Sequence, residues 1–265
     1  MKSFFLPLMA LAVVLSLAAC NLPVPAPVPT VTPPVTLPAP PTVTPAPLFT
    51  QVVLVAVPYS ESGVAPNYTI TTSTPALQGS SDPRVLAFNQ AMTDLVQQEI
   101  AAFKQDVASL PAEPIGGGSF LEITFEQLAP TGNLLSIKFT IQFYSDGAAH
   151  PNTYSRTATY DLEAGSFLTL DRLFLPGADY LGPISDYCKA ELASRDLGYD
   201  LLSSAGADPL PENYRNWNVT ADGLLITFDP YQVASYAAGP QMITIPYADL
   251  GAILDPHGPL DYLLP

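Results

Sequence analysis

Few residues in this 265-residue chain are of types that could do chemistry: two histidines, two cysteines, a modest number of carboxylates and a tyrosine-rich loop. His150 stands in Gly147-Ala148-Ala149-His150-Pro151-Asn152, where an imidazole could serve as general acid or base. It could equally bond the neighbouring backbone and fix the turn, and no second acid or base is identifiable beside it. The turn is the simpler reading. Glu122 and Glu126 are spaced to share one face of a strand. A glycosidase, however, needs two carboxylates at a set separation in a cleft, and surface acidity accounts for this pair. His-Glu-x-x-His, Gly-x-Ser-x-Gly, Gly-x-Gly-x-x-Gly and a phosphate loop are all absent from the sequence. Gly116-Gly117-Gly118 has no lysine to hold a phosphate and reads as a loop. The acidic residues are scattered, without the dense Asp/Asn spacing of a calcium loop. No catalytic residue, metal ligand or cofactor is expected.

Recognition is a better prospect. Asp229-Pro230-Tyr231 and Ser235-Tyr236-Ala237-Ala238-Gly239-Pro240 lie between the last two strand-like runs. Tyrosine offers a large contact area at low entropy cost, and small neighbours leave it accessible. Pro230, Tyr231, Ser235, Tyr236 and Gly239 are therefore the expected partner-binding residues. The alternative is that both rings fill the core and the glycine serves a turn.

The cysteines have separate fates. Lys2, the apolar run Phe4 to Leu17 and the small residues before Cys20 form an export signal. Leu17-Ala18-Ala19-Cys20 matches the lipobox of bacterial lipoproteins, in which the thiol takes diacylglycerol. The apolar run is shorter than the ~20 residues of a spanning helix. Residues 1–19 are thus expected to be removed, Cys20 to be lipidated, and the protein to sit in a bacterial cell envelope, extracytoplasmic and membrane-anchored. Cys188 then has no partner, so the fold must rest on its hydrophobic core. Residues 20–48 complete the anchor with a Pro/Thr-rich linker that has eleven prolines and no charge. Such a segment favours polyproline II and, at ~3.1 Å per residue, reaches on the order of 80–90 Å. Removal of the signal takes Lys2 with it, leaving eight basic and twenty-four acidic residues and a formal charge of −16. That balance disfavours nucleic acid and anionic lipid and suits either solubility or a basic partner.

From residue 49 onwards the pattern is that of a folded domain. Gln51 to Val57 and Asn67 to Ser73 read as strands. Asp82 is placed to cap a helix opened by Pro83, with Val85, Phe88, Met92, Leu95, Val96, Ile100, Phe103 and Val107 on one face. Phe120 to Leu128, Leu134 to Tyr144 and Thr153 to Leu162 alternate as antiparallel strands would. A second helix is expected over about Pro183 to Asp196, with Leu181, Ile184, Cys188 and Leu192 inward. Leu224 to Phe228 and Met242 to Ile245 close the set. The class is α+β: a mostly antiparallel sheet with two principal helices, in two small subdomains, 49–118 and 119–265.

Two groups of segments bear a likeness to a known family. The first is Gly147 to Asn152 with Tyr160-Asp161-Leu162 and Leu168-Thr169-Leu170-Asp171. The second is Gly223-Leu224, Phe228, Tyr231, Tyr236-Ala237-Ala238-Gly239-Pro240 and Ile245-Pro246-Tyr247. Together they resemble the extracytoplasmic domain of the lysozyme-responsive anti-sigma factor RsiV. The stretch from Tyr68 through Pro75 and Asn89 to Phe103 resembles its upstream companion domain. The resemblance implies an α+β fold and, for some members, binding of C-type lysozyme by loops that enter the enzyme's cleft. It also implies a domain found beside peptidoglycan deacetylases. Nothing precedes the export signal here, so no sigma factor is expected to be held directly. The leading expectation is a non-enzymatic, lipid-anchored module that binds lysozyme or another basic extracellular protein. A peptidoglycan-associated sensor or accessory domain is the alternative, and a hydrolase using His150 comes third.

Overall fold

A 25-residue helix laid across a six-stranded sheet forms one half of the fold. The computed structural model describes residues 52–131, 133–195, 197 and 204–264. The export signal, Cys20, the linker, Gly132 of the expected Thr131-Gly132-Asn133 turn and Asp196 lie outside them. Strand β1 (Val53–Val64) pairs along its whole length with β2 (Asn67–Gln78). Helix α1 (Pro83–Val107) follows, capped as its sequence predicts: Asp82 Oδ1 accepts from Arg84 N at 2.8 Å. The chain then returns in β3 (Ser119–Thr131), parallel to β2, and continues as antiparallel β4 (Leu134–Tyr144), β5 (Asn152–Asp161) and the short β6 (Ser166–Phe167). Strand order in this sheet is β1-β2-β3-β4-β5-β6.

The inward stripe of α1 is that expected except at Leu95, which is half-buried: Val85, Phe88, Met92, Val96, Ile100, Phe103 and Val107 are buried against Ile70, Leu121, Ile123 and alternate residues of β4. Leu135, Ile137, Phe139 and Ile141 face the helix, and each such side chain contributes about 1.5–3 kcal/mol of hydrophobic stabilisation. Asn89 locks the helix to β2 by accepting from Leu77 N at 2.7 Å and donating to Leu77 O at 3.0 Å. At the far end, Glu61 accepts from Tyr59, from Tyr68 at 2.7 Å and from Lys104 at 2.6 Å. The Lys104 ammonium, with the two hydroxyls, draws its pKa down to about 2.

The other face of β4 meets a second, smaller sheet made of β7 (Trp217–Val219), β8 (Gly223–Phe228) and β9 (Gln241–Pro246). Asn218 Nδ2 donates to Ser136 Oγ and to Ile137 O, both at 3.0 Å, and Ser136 Oγ also accepts from Val219 N. Helix α2 (Leu181–Ser194) covers this sheet with Ile184, Ser185, Cys188 and Leu192 buried. A single turn, α3 (Tyr247–Leu250), follows β9. The α+β class and the two principal helices are those expected. The boundary at 118/119 is not where the cores part. β2 and β3 pair across it, and the helix-covered core runs from Ile70 to Leu162, while the second gathers mainly residues from Leu170 onwards. Folded residues form one compact unit.

Cys188 lies at 0% exposure, and burial pushes its thiol up to about 12. We expect it to resist a thiol reagent at neutral pH in the native protein and to react at once in denaturant. Rapid native labelling would show that this face of α2 is open.

Candidate functional site

Two separate turns place the expected binding residues side by side. The segment 145–151 enters β5, and 229–240 joins β8 to β9. Tyr236 bridges them. Its hydroxyl donates to Pro151 O at 2.7 Å, and its ring sits 4.5 Å from that of His150 and 5.4 Å from that of Tyr231, tilted by 32° and 31°. Three rings are thus in contact, with Tyr236 touching both others. Tyr236 is half-buried, His150 is exposed and Tyr231 is 58% exposed. His150 Nδ1 lies 2.8 Å from Pro151 O. A carbonyl can only accept, so Nδ1 carries the proton and, in the neutral ring, Nε2 is the open acceptor.

Tyr231 has φ of 70°, the left-handed region, and no other non-glycine residue among those described shares it. That conformation costs a tyrosine on the order of 1–2 kcal/mol, so its surroundings must hold it. Asp229 N donates to Gln232 Oε1 at 3.3 Å and Gln232 N to Asp229 O at 3.0 Å. Gln232 Nε2 donates onward to Gly206 O and Asn213 O at 3.0 and 2.9 Å. The backbone at Gly206 comes so close that a Cβ there would lie 1.9 Å from Gln232 O. Gly239, at φ of 68°, ends the 3-10 turn Tyr236–Ala238. Pro230 is half-buried, and Ser235 Oγ is enclosed without a hydrogen-bond partner among the described residues.

A second group adjoins the rings. From Tyr160 on, β5 pairs with β6, but among the described residues no strand pairs with 152–159 on that edge. Asp229 covers part of it: Oδ1 accepts from Ser155 N at 2.7 Å, while Oδ2 accepts from Asn216 Nδ2 at 3.0 Å and Arg215 at 3.2 Å. Thr157 Oγ1 accepts from Trp217 N at 3.0 Å. On the helix side, buried Glu99 holds Arg156 Nε 2.6 Å from Oε1 and accepts the Tyr154 hydroxyl at Oε2. The arginine is an ion-pair neighbour of Oε1 but makes no directed hydrogen bond to it. Burial, and then the bond to Glu99, raises the pKa of Tyr154. Between these groups opens a cleft of about 460 Å³ lined by Tyr154, Arg156, Thr157, Arg215, Asn216 and Asp229. At roughly 3.3 Å per residue along a strand, Arg156 stands on the order of 15–20 Å from His150, while Tyr231 lies two residues from Asp229 at the wall of the cleft.

The cleft was not foreseen from sequence. Arg156 and Arg215 are ordinary half-exposed positions until β5 and the approach to β7 are set beside each other. Asp229 alone carried a signal, as an acidic residue opening the tyrosine loop. Gly116-Gly117-Gly118 is the loop expected, and its amides serve an internal anion: Asp146 accepts from Ile115 N, Gly116 N and Gly118 N. Glu122 and Glu126 do share the exposed face of β3, where Glu126 pairs with Lys138 at 2.7 Å. No group of residues that could hold a metal is found among those described.

Removing the Asp229 carboxylate strands three donors at once. We expect Asp229→Ala to destabilise the domain by about 3 kcal/mol, read as a lower urea midpoint at unchanged slope. A loss under about 1 kcal/mol would show that water replaces the carboxylate freely.

Comparison with known proteins bears on the same region. Residues 171–248 match the family described as "Protein of unknown function (DUF3298)". The chain is 28% identical over 168 residues to the "Peptidoglycan-N-acetylmuramic acid deacetylase PdaC" of Bacillus subtilis, covering 63% of this chain and 36% of that protein. To "Esterase Rv3036c" of Mycobacterium tuberculosis it is 36% identical over 90 residues, 33% of this chain and 39% of that one. The "Immunogenic protein MPT64" of the same organism is 26% identical over 149 residues, at 56% and 64% coverage. The chain thus spans between about a third and two thirds of the length of these relatives. Solved DUF3298 proteins from Bacteroides fragilis and Pseudomonas aeruginosa share the fold, with TM-scores of 0.56 and 0.52 at 17% and 15% identity, each over 77% of this chain and 94% of the other. A DUF3298 domain is therefore present in this chain, over residues 171–248.

Proposed function

We propose that the domain is a non-catalytic recognition module of the bacterial envelope, that its ligand is a cell-wall glycan, and that the ring group of His150, Tyr236 and Tyr231 is its contact surface. The observation that carries this reading is the strained, exposed Tyr231. A tyrosine held at positive φ and left open to solvent is a cost that folding alone does not require. Flat rings offer their faces to sugar rings, and the similarity to a protein named as a peptidoglycan deacetylase supports a wall ligand.

A basic protein such as C-type lysozyme is the second reading, favoured by the net charge of −15. The local charge argues against placing it first. The exposed residues of 147–152 and 230–240 carry no carboxylate, and the adjoining cleft presents two arginines. Charge complementarity to a basic partner is thus weakest where the aromatic surface is. Hydrolysis, suggested by the names of two relatives, would call on His150 Nε2.

The test is sedimentation with purified peptidoglycan and titration with N-acetylglucosamine oligomers, alongside lysozyme and a p-nitrophenyl ester. We expect Tyr231→Gly to keep or raise stability, since glycine relieves the strain. The same change and Tyr236→Ala should each cost about 2 kcal/mol in glycan binding. Binding of lysozyme but not of glycan would put the second reading first. Ester turnover abolished by His150→Ala would replace both.

We also propose export and lipid attachment at Cys20, supported by its lipobox and the Pro/Thr-rich sequel. Fatty-acid labelling should mark the natural protein and be lost in Cys20→Ala; label persisting on the variant would refute the anchor.

A further inference from the structure

We infer that the cleft between β5 and the approach to β7 is a second subsite, and that it binds a carboxylate of the ligand between Arg156 and Arg215. The inference rests on the glycan reading for the identity of the polymer, since wall glycans carry short peptides with free carboxylates. The cleft itself stands on its own geometry.

Three observations carry it. Among the described residues the two guanidinium groups reach the cleft from separate elements, one on β5 and one before β7, and their side chains remain 48% and 59% exposed. Both are held from behind. Glu99, 5% exposed and fixed by the Tyr154 hydroxyl, stands as an ion pair at Arg156 Nε; Asp229, 8% exposed and fixed by Ser155 N and Asn216, takes Nη2 of Arg215, whose Nη1 makes a longer contact with Glu212 O at 3.4 Å. A guanidinium has five N–H donors in a rigid fork. Engaging Arg156 through Nε leaves its two terminal nitrogens for a carboxylate, which they match in a bidentate manner. The third observation is charge. In a chain with nine basic and twenty-four acidic residues, this cleft is lined by two arginines and a single carboxylate, Asp229, which already accepts three donors, while Glu99 stays buried behind Arg156. Buried carboxylates behind and open guanidinium edges in front form a preorganised receptor, in which little side-chain freedom is lost on binding.

The position suits a ligand that spans both subsites. Tyr231 follows Asp229 by two residues, and Asp229 lines the cleft, so sugar rings against Tyr231 and a peptide carboxylate between the arginines would be within reach of one ligand.

The experiment is calorimetric titration with muramyl dipeptide, its methyl ester, the N-acetylglucosamine tetramer and inorganic phosphate. We expect the free acid to bind at least tenfold more tightly than the ester. Arg215→Lys and Arg156→Lys, which keep a cation beside each buried carboxylate but lose the planar fork, should each erase that difference while leaving tetramer binding and the melting temperature near their original values. Arg156→Gln and Arg215→Gln strip Glu99 and Asp229 of their counter-ions and are read only if they melt normally; the two lysine variants decide the matter without them. Equal affinity for acid and ester in the natural protein, or a difference that survives both variants, overturns the inference. Phosphate competing at the concentration of the acid would overturn the carboxylate assignment in favour of a phosphate-bearing polymer. Discrimination between acid and ester without tetramer binding would leave the subsite standing and remove the glycan reading. Tetramer binding without discrimination would do the reverse.

Discussion

Asp229 is the point on which the ring group and the neighbouring cleft depend. Its carboxylate ends β8, closes the open edge of β5 through Ser155, steadies the approach to β7 through Asn216 and Arg215, and begins the loop that carries Tyr231. A buried carboxylate is tolerated only where several donors compensate its lost hydration. The donors here come from two sheets, so satisfying one side chain fixes the relative placement of both. The rings and the cleft are consequences of that placement. Tyr236 can reach Pro151 only because the loop leaves β8 where Asp229 is pinned, and the cleft opens only because Asp229 bridges the gap with a side chain and not with another strand.

A second polar seam does similar service deeper in. Ser136 accepts from Asn218 and from Val219 N, joining β4 to β7 across sequence separations of 82 and 83 residues. β4 is covered on both faces, by α1 on one and by the second sheet on the other. Its alternation therefore reads as apolar toward the helix and as small or polar toward β7. The serine is where two backbones come close enough to need a donor–acceptor bridge, and a larger apolar residue would push them apart.

Much of this was legible in sequence because it is local. Asp82, Pro83 and the apolar stripe from Val85 to Val107 specify α1 by capping and periodicity, and β4 was read to the residue. β1 proved longer than expected. Pro58, Ser60, Glu61 and Ser62 break the apolar run, and only the ladder to β2 carries the strand on to Val64. β7 escaped notice because three residues have no periodicity and owe their conformation to Ser136. The subsidiary boundary was sought in the glycine run at 116–118, whereas the parallel pairing of β2 with β3, a long-range contact, carries the sheet straight across it. At the site, tyrosines among small residues announced themselves by composition. The two arginines, 59 positions apart, meet through tertiary structure alone.

The order of the larger sheet has a mechanical consequence. β1 forms one edge, and the ring group and cleft are built on β5, near the opposite edge, with three strands between. A pull on the chain ahead of residue 52 loads β1 first, and β1 is bonded to no strand but β2. Tension would peel that ribbon apart rung by rung from Val53, until it reached Glu61, whose bond to Lys104 passes load to α1. The hairpin is in effect a sacrificial spring, and the ring group and cleft near the far edge are sheltered from a force applied at β1.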